Sequence, residues 1–299
     1  MDGITDAPMR ELQGSLGAFT YAVSEFVRVS IDPIPVKVFL REIPEIANGG
    51  QTPTGMPVQV QILGGDPGRM GESAATACRA GATAIDINFG CPAPTVNRND
   101  GGASLLRTPC RIRDVVQAVR SAVPAEIPVS AKLRLGWDHI DQIFANAAMA
   151  AEGGASWLTI HARTRTQAYN PPVFWPHIGR VREQLGLPII ANGDIWTLDD
   201  FRRCQDETGC QHFMIGRGAL ARPTLPFEIA SELGLSPRAF SLGWEELLQR
   251  FVSVSDEVPR EVVLQRLKQW MKLASRHGEY DGFDRVKRAA SLDEFFAGL

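Results

Sequence analysis

The stretch Asp86-Ile87-Asn88-Phe89-Gly90-Cys91-Pro92 puts a thiol in a tight turn directly after an apolar run that ends in a small polar residue. A polar loop with adjacent glycines, Gly101 and Gly102, follows, and then an apolar stretch from Ala103. A strand end that opens into a long polar loop is where barrel enzymes place their chemistry. The same residues also suit a buried cysteine in an ordinary strand-to-helix connection. Lys132 lies in an apolar, strand-like segment, where an ammonium needs an anionic partner. That partner is either an acid on a neighbouring strand or an electron-rich ligand ring, flavin being one such ring. His161 closes another apolar run and can hydrogen-bond a ligand carbonyl or hydroxyl, or serve as a satisfied structural residue. Asn192-Gly193-Asp194 and Gly216-Arg217-Gly218 read as two halves of a phosphate cradle, in which glycine permits close approach and Arg217 adds charge. They also read as plain tight turns. Gly216 to Ala221 matches the spacing of a dinucleotide fingerprint, but it falls in the last unit of the chain rather than the first.

These residues need strands to carry them. Segments 19–24, 57–63, 84–88, 128–135, 157–161, 188–191 and 212–215 read as strands. Segments 8–16, 67–80, 110–123, 140–152, 180–184 and 198–204 read as the helices between them, with Thr5 or Asp6 as N-cap of the first. Such alternation implies right-handed βαβ units and a parallel sheet. Each strand ends in a polar residue or glycine: Glu25, Gln61, Asn88 with Cys91, Lys132 with Arg134, His161, Asn192 with Asp194, and Gly216 with Arg217. In a barrel those ends converge on one face. The expected fold is α/β, a (β/α)8 TIM-type barrel lacking its first strand, followed by an all-helical C-terminal domain. Alternation stops at Pro223, and 244–254 and 261–275 read as amphipathic helices. The expected domains are a catalytic barrel over 1–236 and a helical module over 237–299.

At 299 residues and 44% hydrophobic content, the chain can bury one barrel-sized core and a smaller one. Its net charge of -3 gives no hint of nucleic acid. The distribution is more telling. Residues 260–288 carry eight Lys/Arg against four Asp/Glu, so this segment is +4 and the remainder -7. A basic module on an acidic body suggests a polyanion held at one end, although an ordinary solvated helical surface has the same composition. The five cysteines are scattered, odd in number and form no CxxC pair, the pattern of a reduced cytoplasmic protein. Cys204, Cys210 and His212 are close in sequence, but the first falls in a helical segment and the last opens an apolar strand, so no metal is expected. Neither a signal peptide nor a membrane span is expected.

Taken in order, these motifs resemble the tRNA-dihydrouridine synthases, flavin enzymes that reduce uridine in tRNA. The resemblance covers nearly the whole chain. It rests on Met1-Asp2-Gly3-Ile4-Thr5-Asp6, Val60-Gln61, Asn88-Phe89-Gly90-Cys91-Pro92 with 101–106, Lys132-Leu133-Arg134-Leu135-Gly136, His161-Ala162-Arg163-Thr164, Asn192-Gly193-Asp194-Ile195 and Gly216-Arg217-Gly218. Ser24-Glu25-Phe26-Val27-Arg28 and Arg266-Leu267-Lys268-Gln269-Trp270 look like the bacterial C-type branch, which acts on uridine 16 of the D loop.

What the resemblance implies is specific. FMN would lie across the strand ends, with Gln61 and Lys132 at its ring and His161 at its ring or ribityl side. Asn192, Gly193, Asp194, Gly216 and Arg217 would hold its phosphate end, and Met1 and Gly3 would complete the cofactor contacts. Cys91 would be the general acid. Arg28, Asn88, Arg134 and Tyr169 would meet the flipped-out uridine or its neighbours, and Arg266 and Lys268 the RNA. NADPH would be the reductant, with no docking fingerprint of its own in the sequence. The loop 94–101 would close over the site. The expected state is a cytoplasmic monomer that binds tRNA, no metal and no membrane. The chain departs from the family pattern in two places. It starts where the family has already completed a first strand, so the expected start lies upstream. Ala93-Pro94-Thr95 stands where a basic residue is common. Two alternatives share the motifs: an FMN-barrel dehydrogenase of a free pyrimidine, which would have no use for the basic helical module, and a non-catalytic RNA-binding protein on the same fold, which would have no use for Cys91, Lys132 and Arg217 together.

Overall fold

The computed structural model describes residues 3–237 and 239–299. Every strand in it is parallel to its neighbours. The strands are β1 (Ala22–Val23), β2 (Val27–Arg28), β3 (Val58–Leu63), β4 (Ile85–Asn88), β5 (Val129–Arg134), β6 (Leu158–His161), β7 (Ile189–Asn192) and β8 (His212–Met214). From β3 the sheet runs in chain order to β8, while β1 and β2 both pair with β3. β1 lies within the expected strand 19–24, and β2 lies just beyond its end. The break has a tertiary cause. Ser24 Oγ accepts the Gln61 N–H at 3.0 Å, so a side-chain hydroxyl takes the place of a ladder carbonyl.

The pleat sorts the sheet's residues by polarity. One face carries Val58, Val60, Ile62, Ile85, Ile87, Val129, Ala131, Leu133, Leu158 and Ile160, all buried. Each large aliphatic side chain removed from water in this way contributes about 1.5–3 kcal/mol. The other face carries Gln59, Gln61, Asp86, Asn88, Ser130, Lys132, Arg134, Thr159 and His161. A polar second face on a sheet whose apolar face carries the helices marks a candidate ligand-binding surface.

The connecting helices begin where the sequence signals them. Asp66 caps Pro67–Ala80, its side chain accepting from the Arg69 N–H at 2.8 Å, and Pro67 fills the first turn. Pro109–Ala122 follows the same proline rule. Trp175–Gln184 starts five residues before the expected helix, since Pro176 opens it and Trp175 is buried.

The chain divides into two compact units. Residues 21–193 and 202–214 form one, which holds the whole sheet. The N-terminal residues through Thr20, together with 194–201 and 215–299, form the other. Its core joins Met9, Leu12 and Leu16 of the helix Ala7–Leu16 to Leu220, Phe227, Leu248, Phe251, Leu267, Trp270 and Met271. Asp6 is the N-cap of that first helix and accepts from the Met9 N–H at 3.2 Å. The buried Trp270 Nε1 donates to the Leu220 carbonyl at 2.8 Å, so the residues after β8 belong with the C-terminal helices. The expected boundary at 236 therefore lies inside this unit.

Candidate active site

In the sheet unit, side chains from four strands form two hydrogen-bonded groups toward the C-terminal strand ends, one around Asp86 and one around Asn192. Gln61 Nε2 donates to Asp86 Oδ2 at 2.7 Å, and Ser130 Oγ donates to Asp86 Oδ1 at 2.5 Å. Asn88 Nδ2 donates to Gln61 Oε1 at 2.8 Å. Lys132 Nζ donates to Asn192 Oδ1 at 3.1 Å, and Asn192 Nδ2 donates to the Met214 carbonyl at 2.8 Å. Strand register explains the meeting: Gln61 lies opposite Asp86, Asp86 opposite Ser130, and Asn88 opposite Lys132. A carboxylate only accepts, so Asp86 fixes which end of the Gln61 amide faces it, and Gln61 then fixes Asn88.

Charge in this layer is sparse. Burial pushes the Asp86 carboxyl up, and hydrogen bonds from Ser130 and Gln61 oppose that. Burial first, then the Arg134 charge, pushes the Lys132 ammonium down to about 8, while Asp86 pulls it back up. Tyr21 is pushed up to about 12 by burial and by Asp86. Among the described residues Lys132 forms no ion pair; its partner is the neutral Asn192. An amide pair and a half-desolvated ammonium fit a planar, electron-rich ring that gains negative charge on reduction. The donor set therefore suits flavin. No cluster of metal-ligating side chains is found among the described residues.

Cys91 is half-buried at the start of a loop held from several sides. Asn88 Oδ1 accepts the Gly90 N–H at 2.9 Å, which ties the strand end to the residue before the thiol. The Cys91 carbonyl accepts from Ala103 N at 3.2 Å and Asn97 Nδ2 at 3.3 Å. Gly102 has φ +59°, and a side chain there would come within 3.1 Å of Cys91 Cβ, so glycine is needed for this close approach. The segment Pro94–Asn97 forms a single helical turn, and Arg28 Nη2 donates to the Thr95 carbonyl at 3.4 Å. At the far end Arg111 grips both carboxylate oxygens of Asp100, at 2.7 and 2.6 Å, and also the Gly65 carbonyl at 2.8 Å. The expected lid is thus already tied to its surroundings.

Arg134 is buried and committed to backbone. Its Nε donates to the Gly90 carbonyl at 2.8 Å, and its Nη1 to the Thr164 and Ala168 carbonyls at 3.0 and 2.8 Å. It connects the residues just before Cys91 and Tyr169, and lies 5.4 Å from the exposed Tyr169 ring. His161 is buried opposite Asn192, and the Gly193 carbonyl accepts from Trp175 Nε1 at 3.0 Å.

The second unit carries the remaining expected residues. Arg217 pairs with Asp194 at 3.5 Å and lies over Trp196, whose ring stacks on His277 at 4.2 Å. Gly216 precedes the short helix Arg217–Ala221. Arg266 pairs with Asp6 at 3.3 Å and lies beside Gly3. Lys268 donates to the Ala289 carbonyl. Met1 lies outside the described residues.

Two residues central to the strand-end groups, Asp86 and Ser130, were not among the expected site residues. The signal for both was the period of two: Asp86-Ile87-Asn88 and Ser130-Ala131-Lys132 place them one pleat below residues already singled out.

Comparison with known proteins adds identity. The profile of the dihydrouridine synthase (Dus) family matches residues 1–269. A Shewanella oneidensis protein named tRNA-dihydrouridine(16) synthase is 44% identical over 285 residues, covering 92% of this chain and 87% of its own. A Haemophilus influenzae protein of the same name is 40% identical over 303 residues, covering 98% and 95%. The solved old yellow enzyme homologue from Zymomonas mobilis shares the fold, with TM-score 0.51 and 14% identity over 80% of this chain and 87% of that one. The parallel sheet with its helices is accordingly a TIM-type α/β fold. On the match over residues 1–269 and these identities, the chain belongs to the dihydrouridine synthase family.

Proposed function

We propose that this protein reduces a uridine of tRNA to 5,6-dihydrouridine, at position 16 of the D loop, with FMN as cofactor and NADPH as reductant. The observation that carries the reading is the link from Asn88 to both sides of the site. Its amide bonds to Gln61 on one side and, through Gly90 N, to the Cys91 turn on the other. The names of the relatives support the substrate and its position.

Reducing the uracil C5=C6 bond takes a hydride at C6 and a proton at C5 on the opposite face. Bound FMN would supply the hydride. Cys91 Sγ would hold the proton and deliver it to C5. Gln61, Lys132, His161 and Asn192 would face the flavin. Gly193, Asp194, Gly216 and Arg217 would hold its phosphate end, as their glycine-rich turns and the Arg217 charge suggest, and the assignment of Gly3 to cofactor rests on the resemblance alone. Asn88, Arg28 and the exposed Tyr169 would receive the base, which must leave the folded tRNA to be reached. Arg134 would act by holding the backbone around Cys91 and Tyr169. In the helical unit, exposed Lys272, Arg276 and Arg288, with Arg266 and Lys268, would meet RNA through charge and shape. We place the working protein in the cytoplasm as a monomer; no described helix is long and apolar enough to cross a membrane.

The test is mass spectrometry of unmodified tRNA incubated with protein, FMN and NADPH, alongside Cys91→Ala. Dihydrouridine at position 16 that depends on Cys91 is expected. NADPH oxidation with a free pyrimidine and none with tRNA would overturn the reading.

A further inference from the structure

We propose that Arg107, Trp137 and Arg165 form a phosphate-binding contact for the RNA strand that flanks the target uridine. This rests on the tRNA reading above and adds a site that the sequence did not suggest. The Arg107 guanidinium carbon lies 3.7 Å from the Trp137 ring centroid and that of Arg165 lies 4.6 Å from it. Neither arginine pairs with an acid among the described residues, and Arg165 Nε is buried without a hydrogen-bond partner. The contrast with nearby arginines is sharp: Arg111 holds a carboxylate, while Arg134 and Arg163 hold carbonyls. The acids on the same loop do not help. Asp141 bonds to His177 at 3.2 Å, and Asp138 is exposed and contacts neither arginine.

Two guanidiniums against one indole repel each other, and the ring face offsets only part of that. Stacking on the ring leaves the edge N–H groups of each arginine for a ligand, and those edges match phosphate. An RNA phosphodiester relieves the repulsion and engages the outward edges of the two guanidiniums.

The platform is stiff. Beyond the strands, β5 and β6 stay stitched by Leu135 N to Arg163 O at 3.0 Å, Arg165 N to Gly136 O at 2.8 Å and Thr166 N to Trp137 O at 2.9 Å. The Trp137 N–H donates to Gln142 Oε1 at 2.7 Å. A side chain at Gly136 would strike the His139 carbonyl and that same Gln142, so only glycine allows the turn. Arg107 ends the 3-10 segment Gly102–Arg107, whose first residue abuts Cys91. At the rise of a 3-10 helix that segment spans about 10 Å, so the platform lies within reach of a nucleotide next to one held at Cys91.

The test is binding of an unmodified tRNA transcript to the FMN-loaded protein at several salt concentrations. For Arg107→Ala/Arg165→Ala we expect affinity to fall about tenfold and the slope of log affinity against log salt to shrink by about one to two, with the flavin absorbance unchanged. Arg165→Gln keeps the stem packed on Trp137 and should lose about threefold in affinity and about one in slope. Wild-type affinity and slope in both variants would overturn the proposal while leaving the tRNA reading standing. Failure of the wild-type protein to bind tRNA at all would overturn both.

Discussion

At the strand ends, Gln61, Asp86, Asn88 and Ser130 point their polar atoms at one another, each amide held in one orientation by the next. At the rim, Arg107 and Arg165 crowd one indole and pair with no acid among the described residues. The first arrangement suits chemistry, which needs fixed geometry and loses rate when reacting groups wander. The second suits capture of a charged chain, where strength comes from field and falls with salt. A protein that must both grip a folded RNA and reduce one base of it has reason to keep the two apart.

The largest effect that would break this contrast is at the thiol. Cys91→Ala should lower turnover at saturating tRNA by about 10²–10⁴-fold while the flavin spectrum and tRNA affinity stay as they were. Loss of flavin instead would make Cys91 part of the scaffold. Next is the buried acid. Asp86→Ala strands the Gln61 amide and the Ser130 hydroxyl, and urea denaturation should show about 2–4 kcal/mol lost. Asp86→Asn keeps an acceptor and should lose less, but it frees the Gln61 amide to turn over, so its flavin absorbance should shift where its stability hardly does. A smaller effect follows from Lys132. Its folded pKa of about 8 lies below that of an unfolded lysine. Below about 8 both states hold the proton; above it the unfolded chain still does and the folded one does not, so stability of the cofactor-free protein should rise with pH from about 8 towards about 10.4. Lys132→Met should flatten that rise. Flavin affinity should move the other way, weakening above about 8 as the ammonium discharges. Smallest is the Arg111 grip, whose hydrogen bonds hold the Asp100 carboxyl below the usual carboxylate range. That contribution is present above the unfolded carboxylate pKa and fades as pH falls through the lower folded value. Both groups are well exposed, so solvent screening keeps it within about 1 kcal/mol. Limited proteolysis within 91–101 should quicken in Asp100→Asn.

Sequence legibility followed the same line. Gln61, Asn88, Lys132 and Asn192 could be read because each is a polar residue at or near the C-terminal end of an apolar run, and parallel alternation brings those ends together. Asp86 and Ser130 sit inside the runs, where one polar residue looks like noise until the pleat aligns it with its neighbour. The helix Val36–Glu42 and the 3-10 turn Pro44–Asn48 were missed, being short, proline-flanked and without a side-chain cap. The break between β1 and β2 depends on Ser24 meeting an N–H from another strand, which no local pattern encodes. Arg107, Trp137 and Arg165 come from three separate loops, and only the folded chain brings them to one ring.

The Arg111 grip on Asp100 and Gly65 has an evolutionary consequence. With that anchor at one end, and Asn97 and Ala103 fastened to the Cys91 carbonyl at the other, the tip Ala93-Pro94-Thr95 can change without displacing the thiol. Descendants of such a chain can exchange tip residues to meet differently shaped RNAs and inherit the thiol where it stands.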